Sequence, residues 1–272
     1  MPATVAEVNA VVDRLWPPSG AESWDAVGLI SGDLDAPVTS ILLAVDAVRD
    51  TVDEAIEQSA SLLLVHHPLL LRGVTTVATD RYKGAVLSRL IRANCALIAA
   101  HTNADVVETG TSATFAEKLG LQNQRPIVVG DNPALGIGRV GELAATTTLG
   151  RLASALSVLL PATATGIRVS GDFDAPIRTV ALCGGAGDAY LSHSAVLAAD
   201  VYITSDLRHH PASEARENAR ASSGPALIDV SHWASEWLWL EAAASELRAA
   251  LPSVTISVSD LRTDPWDFVV TQ

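Results

Sequence analysis

Leu62-Leu63-Leu64-Val65-His66-His67-Pro68 reads as a short buried strand ending in two adjacent imidazoles and a proline. A brief uncharged apolar run bounded by polar residues suits a strand covered on both faces. The same tripeptide closes a second segment, Val201-Tyr202-Ile203-Thr204-Ser205-Asp206-Leu207-Arg208-His209-His210-Pro211. The flanks repeat as well. Each copy follows a strand and an Ala-rich helix, Ser40–Asp46 with Thr51–Ser59 and Thr179–Cys183 with Ala189–Ala198. Each then leads through a helix to Ala-Leu-Ile, at Ala96-Leu97-Ile98 and Ala226-Leu227-Ile228, and soon to another histidine, His101 or His232. Of the seven histidines, only His193 falls outside this pattern, which ties the imidazoles to the repeat.

Outward from these copies, strands and helices alternate at a spacing that argues for an α/β fold with parallel pairings. Ala3–Leu15 reads as an amphipathic helix stopped by Pro17-Pro18, Asp131-Asn132-Pro133 as a break, and Trp233–Ala250 as one long helix. The expected architecture is a pair of duplicated, intertwined α/β units with mixed sheets and a metal site at strand ends between them. Residues 1–130 plus 225–272 would form the first unit, carrying most of the metal ligands. Residues 131–224 would form the second.

Composition narrows the function classes. A net charge of −13 disfavours nucleic-acid backbone binding, which relies on clustered Lys and Arg. No segment reaches the ~18 uncharged apolar residues of a membrane helix. Met1-Pro2-Ala3-Thr4 shows no basic region and no signal core, so the expectation is a soluble cytoplasmic protein. Cys95 and Cys183 lie inside expected strands and read as small buried hydrophobes, not a disulfide. Trp233 and Trp237 share a helical face, suited to packing in the core or a subunit interface.

The polar residues at strand ends carry the chemistry, because open α/β sheets build their sites there. His66 and His67 can converge if the chain twists at the strand end; read alone, they could equally be a polar turn. His101-Thr102-Asn103-Ala104-Asp105 offers an imidazole and a carboxylate, or simply a capped helix start. His232 and Glu236, four apart on a helix, share a face and can hold one ion, or form a surface pair. Together His66, His67, His232, Asp105 and Glu236 exceed the needs of one tetrahedral zinc. A carboxylate can bridge two cations, and two ions can activate a water between them, with a metal-bound hydroxide as nucleophile. Gly184-Gly185-Ala186-Gly187-Asp188 lacks Gly-Lys-Ser/Thr and is no Walker A loop. Gly185 reads as a point of close approach to a ligand, or as a tight turn. A Gly-x-Ser-x-Gly elbow is also missing.

The ordered set of motifs resembles the dinuclear-metal, hexamer-forming NGG-interacting-factor-three-like proteins, often named GTP cyclohydrolase 1 type 2 homologues. It comprises Ser23-Trp24-Asp25-Ala26-Val27-Gly28-Leu29, His66-His67-Pro68, Tyr82-Lys83-Gly84, His101 to Asp105, Cys183 to Gly187, Thr204-Ser205-Asp206, His209-His210 and Asp229 to Glu236. Ala26, Ser205 and Ser231 depart from the family's usual Asn, Gly and Gly, which touches loop details. The resemblance implies that His66, His67, Asp105, His232 and Glu236 bind two divalent cations, Zn, Fe, Mn, Ni or Co. It also implies a toroidal homohexamer. His101, His209, His210 and Gly185 are expected to bind substrate or orient ligands, and no catalytic residue is singled out. The expected function is a metal-dependent, GTP cyclohydrolase-like hydrolase of a nucleotide-like or small cyclic or amide substrate. The alternative is a non-catalytic metal store, metal chaperone or regulatory scaffold.

Overall fold

The computed structural model describes residues 2–130 and 132–271, so Asp131 of the expected break lies outside the described residues. In chain order the first elements are β1 (Ala3–Thr4), α1 (Val5–Leu15), β2 (Gly28–Ser31), β3 (Pro37–Val38), β4 (Ser40–Asp46), α2 (Arg49–Glu57) and β5 (Leu62–His67). Next come α3 (Tyr82–Arg92), β6 (Ala96–Ala99), α4 (Thr102–Asp105), α5 (Thr111–Lys118), β7 (Gln122–Arg125), β8 (Val128–Val129), β9 (Gly136–Ile137) and β10 (Arg139–Thr148). The chain continues through α6 (Leu149–Leu159), β11 (Arg168–Ser170), β12 (Pro176–Ala186), α7 (Ser194–Leu197), β13 (Val201–Ser205), α8 (His209–Ala221) and β14 (Ala226–Val230). It ends with α9 (His232–Trp237), α10 (Leu240–Ala250) and β15 (Thr255–Val258). Two compact units result: Met1–Ala104 with Leu240–Thr263, and Asp105–Trp239 with Asp264–Gln272. Asp105, His232 and Glu236 therefore all belong to the second unit, whose limits differ from the expected 131 and 224.

The first unit holds a sheet in the order β15-β4-β5-β6-β2. Its first four strands run parallel, and β2 pairs antiparallel with β6. Ile41 to Val45 and Leu62 to Val65 are almost completely buried, as strands covered on both faces must be. Val52 and Ala55 from α2 and Val86, Leu87 and Leu90 from α3 pack on Leu42, Leu63, Val65 and Leu97. Helix α1 starts on a reciprocal cap. The Thr4 hydroxyl accepts from the Glu7 N–H, and the Glu7 carboxylate accepts from the Thr4 N–H. In Tyr82-Lys83-Gly84 the glycine is a packing requirement, because a Cβ there would stand 2.2 Å from the Ala78 carbonyl oxygen.

The second unit holds a sheet in the order β11-β14-β13-β12-β10-β7. Its parallel trio β12, β13, β14 repeats the chain order, spatial order and helical crossovers of β4, β5, β6. In both trios the third strand carries an antiparallel edge neighbour, β2 or β11. The two His-His-Pro copies thus belong to matching central strands and their exits, β5 and β13.

The copies part in detail. β5 runs through both of its histidines, so His66 and His67 are its last residues. β13 stops at Ser205, and Asp206 takes a left-handed φ of 57°, a conformation Asp tolerates better than most residues. His209 and His210 then open α8 and are exposed, so the strand-end reading does not hold for the second pair. Pro211 fits there because the first helical turn needs no N–H. The long helix expected at Trp233–Ala250 is two helices, parted at Leu238-Trp239, where the Trp239 N–H bonds the Glu236 carbonyl in a tightened turn.

Leu63→Ala should lower stability by about 2–5 kcal/mol, since it empties space in a closed core. Val158→Ala, at a position 87% exposed, should change it by less than about 0.5 kcal/mol. Urea midpoints followed by far-UV circular dichroism test the contrast.

Candidate metal centre

In the first unit three imidazoles gather at the carboxyl ends of β5 and β6. His66 is fully buried and His67 half-buried. Their ring centroids lie 5.2 Å apart, and His101, just past β6, stands 5.1 Å from the first ring and 5.5 Å from the second. One ring nitrogen from each of the three falls within 4.8 Å of the other two.

Each ring is held from behind. His66 Nδ1 donates to the Ala100 carbonyl oxygen at 2.8 Å. A carbonyl can only accept, so the proton sits on Nδ1 and Nε2 keeps the lone pair. His67 lies opposite Asp46 in the parallel register, and its Nδ1 donates to Asp46 Oδ1 at 2.7 Å. His101 Nδ1 donates to Asp25 Oδ1 at 2.9 Å. Such a bond fixes the tautomer and the ring orientation, as metal-ligating histidines require. The Asp25 side chain is fully buried. Burial alone would raise its pKa, but the hydrogen bond from His101, that from the Thr102 hydroxyl, the attraction of His101 and the hydrogen bond from the Ala26 N–H outweigh it and hold the carboxyl well below its ordinary range.

In the second unit Ser231 caps α9 through its Oγ, which accepts the Ala234 N–H at 3.2 Å and sets His232 on the first turn. The expected i, i+4 pairing is present, with His232 Nε2 3.0 Å from Glu236 Oε1. His232 Nδ1 meets Asp206 Oδ2 at 2.7 Å, and the left-handed backbone at Asp206 supports that approach. Burial disfavours the imidazolium, yet Glu236 and Asp206 outweigh it and push the His232 pKa well up. Gly185 lies against this pair with φ +69°, and a Cβ there would stand 2.4 Å from Glu236 Oε1 and 3.3 Å from His232 Nε2. The Gly185 N–H donates to Ser235 Oγ at 3.0 Å, and its carbonyl accepts from Thr204 Oγ1 at 3.1 Å. Asp105 ends α4, and its carboxylate accepts the Thr111 hydroxyl. Cys183 is fully buried and pushed up to about 12 by burial and then by the negative field of Asp105, so it is an inert thiol.

The donor set fits a divalent transition cation, since imidazole nitrogen and carboxylate oxygen suit Zn, Fe, Mn, Ni and Co. His66 and His67 lie side by side and gather His101 with them, while His232 meets Glu236. Gly185 approaches the Glu236 and His232 side chains closely. His209 and His210 contact one another, ring centroids 5.2 Å apart, on the exposed first turn of α8. The orienting carboxylates Asp25, Asp46 and Asp206 carried no assigned role in the sequence reading. Asp46 could have been found by noting that β4 and β5 both end in polar residues and pair in parallel.

The Duf34/NIF3 (NGG1p interacting factor 3) sequence profile matches residues 3–265. A Streptomyces coelicolor protein named GTP cyclohydrolase 1 type 2 homolog is 46% identical over 269 residues, covering 96% of this chain and 93% of its own. A Mycobacterium tuberculosis protein of the same name is 34% identical over 375 aligned positions, covering 98% of this chain and 97% of its own. The Staphylococcus aureus hypothetical protein SA1388 superposes with a TM-score of 0.89 at 28% identity, covering 99% of this chain and 100% of its own. A Bacillus cereus protein related to NIF3 shares the fold, with a TM-score of 0.88, 24% identity and coverage of 99% and 100%.

Two outcomes follow from the geometry. Because the folded-state pKa of Asp25 is depressed, its contribution to stability is present above the unfolded value of 3.8 and lost as pH falls through the folded value. Asp25→Asn should therefore lower the melting temperature at neutral pH, and the gap to wild type should narrow below about pH 4. Gly185→Ala should destabilise by about 1–3 kcal/mol from backbone strain and also displace the His232–Glu236 pair. Gly166→Ala, at φ +60° with nothing within 4 Å, should show the strain alone. Denaturant melts with metal uptake measured on both variants separate the two effects.

Proposed function

The chain belongs to the Duf34/NIF3 family, and on that footing we propose that it is a metal-dependent hydrolase whose two divalent cations are held by His66, His67, Asp105, His232 and Glu236. The observation that carries this reading is the set of Nδ1 tethers. His66, His67, His101 and His232 each have Nδ1 against a carbonyl or carboxylate oxygen. Three of these tethers leave Nε2 of His66, His67 and His101 for ligation or proton transfer, while His232 Nε2 faces Glu236 Oε1 and would take a cation in exchange for its proton.

Divalent ions in such a donor set supply Lewis acidity and make water a competent nucleophile near neutral pH. The chain's own residues do the rest. Asp46 and Asp206 aim His67 and His232. Asp25 aims His101, whose Nε2 lone pair is suited to accepting a proton from the attacking water or a hydrogen bond from substrate. Gly185, lacking a side chain, lets the β12 turn close on Glu236. His209 and His210, exposed at the start of α8, take a substrate-binding role. The substrate class is a nucleotide-like or small cyclic or amide compound, by analogy with the name of the Streptomyces coelicolor relative. On the family resemblance we further propose a cytoplasmic homo-oligomer, a toroidal hexamer. Among the described residues no helix is long and apolar enough to cross a membrane.

Metal analysis of gently purified protein should give about two divalent ions per chain, as a paired-metal site requires. His66→Ala combined with His232→Ala should abolish most of it. Asp46→Asn or Asp206→Asn should weaken affinity by about 10- to 100-fold through misaimed imidazoles. Turnover against a panel of nucleotides and cyclic amides should disappear with a chelator and return with metal. Full occupancy in the double variant would refute the ligand assignment. Bound metal without turnover on any substrate would point to a store or scaffold.

A further inference from the structure

The turn that brings Asp25 to His101 also carries a large exposed ring. Trp24 is 57% exposed, and its indole meets the His101 imidazole edge-on, with centroids 5.9 Å apart and planes at 76°. The indole is thus one ring removed from the cluster of His66, His67 and His101.

The backbone around Trp24 is fixed. On one side the Glu22 N–H donates to Thr102 Oγ1 at 2.9 Å, and the Asp25 N–H donates to the Glu22 carbonyl at 3.0 Å. On the other, Asp25 Oδ2 accepts the Thr102 N–H at 3.0 Å, and Asp25 Oδ1 accepts the Ala26 N–H at 2.7 Å. Of the other indoles, Trp16 and Trp239 are 0% exposed, Trp233 is 5% exposed and Trp237 is half-buried; Trp266, 61% exposed, lies in the C-terminal segment after the last strand, whereas Trp24 stands against a ring of the imidazole cluster. An indole left in water on a pinned turn contributes little to packing. It is already arranged to bury a flat apolar surface, with little ordering entropy left to lose on binding.

We propose that Trp24 stacks on a planar heterocyclic ring of the substrate and holds that ring beside His101. The proposal rests on reading the imidazole cluster as the reacting centre. It narrows the substrate class to compounds bearing a flat π-rich ring, such as a nucleobase. Stacking tolerates different rings because each presents a π-face, so Trp24 sets the ring's position, and its identity must be read by other groups.

Calorimetric titration of the full chain, both metal-loaded and chelator-treated, with guanosine, adenosine and ribose 5-phosphate tests this. Both nucleosides should bind wild type, and Trp24→Ala should weaken them by about 5- to 150-fold, the range for losing one stacked base. Trp24→Phe should retain most of the affinity. Ribose 5-phosphate should respond to neither substitution, and Trp24→Ala should keep wild-type metal content. The proposal is overturned if nucleosides bind Trp24→Ala as tightly as wild type. It is equally overturned if neither nucleoside binds wild type at millimolar concentration, or if Trp24→Ala loses metal as well, which would make the indole a support of the cluster. Failure of wild type to hold metal would count against the metal reading alone, because the chelator-treated titration still reports on Trp24.

Discussion

A histidine can ligate a cation only through a nitrogen that carries no proton, and this constraint organises the polar residues of both units. An unrestrained imidazole exchanges its proton between Nδ1 and Nε2 and turns about its side-chain bonds. For His66, His67 and His101 the choice is made by oxygen atoms behind the rings, the Ala100 carbonyl, Asp46 and Asp25; His232 has Asp206 behind it and Glu236 in front, so its Nε2 is freed only when a cation displaces the proton. The acceptors come from four different chain segments, and three of them are carboxylates. Asp25 shows how firmly such a group is used. Although buried, it stays charged because His101 and Thr102 donate to it.

The duplicated topology explains where these atoms stand. In each unit a parallel trio with helical crossovers delivers three strand ends side by side, and the third leads to a tethered histidine, His101 after β6 and His232 after β14. The second strands have diverged. β5 carries two imidazoles to its last residue, whereas β13 gives way to the left-handed Asp206, which serves His232, and its own histidines move onto a helix. Matching positions in the two repeats therefore do different work: one pair of histidines lies in the cluster, and in the other copy an orienting carboxylate takes over.

Much of this was legible in the sequence because it is local. Apolar runs such as Leu62 to Val65 and the i, i+4 spacing of His232 and Glu236 each depend on a few neighbouring residues. What could not be read depends on tertiary register. That Asp46 serves His67 follows from the parallel pairing of β4 with β5, 21 residues apart, and that Asp25 serves His101 from a separation of 76. The break at Leu238-Trp239 was hidden because both sides are strong helix formers; the turn is paid for by burying Trp239, a property of the surrounding fold. The second His-His-Pro copy misled because a proline after two histidines suits the exit of a strand and the first turn of a helix equally well.

In this chain the tethered imidazoles of His66, His67 and His232 should present Nε2 to divalent cations. Anomalous diffraction at the metal edge, from crystals grown with zinc or manganese, tests it most directly. Peaks about 2.0–2.3 Å from Nε2 of His66, His67 and His232, with Nδ1 of each still on its oxygen, are the predicted result. Crystals with no anomalous peak at these rings, or with ions on the Nδ1 side and the tethers broken, would contradict it.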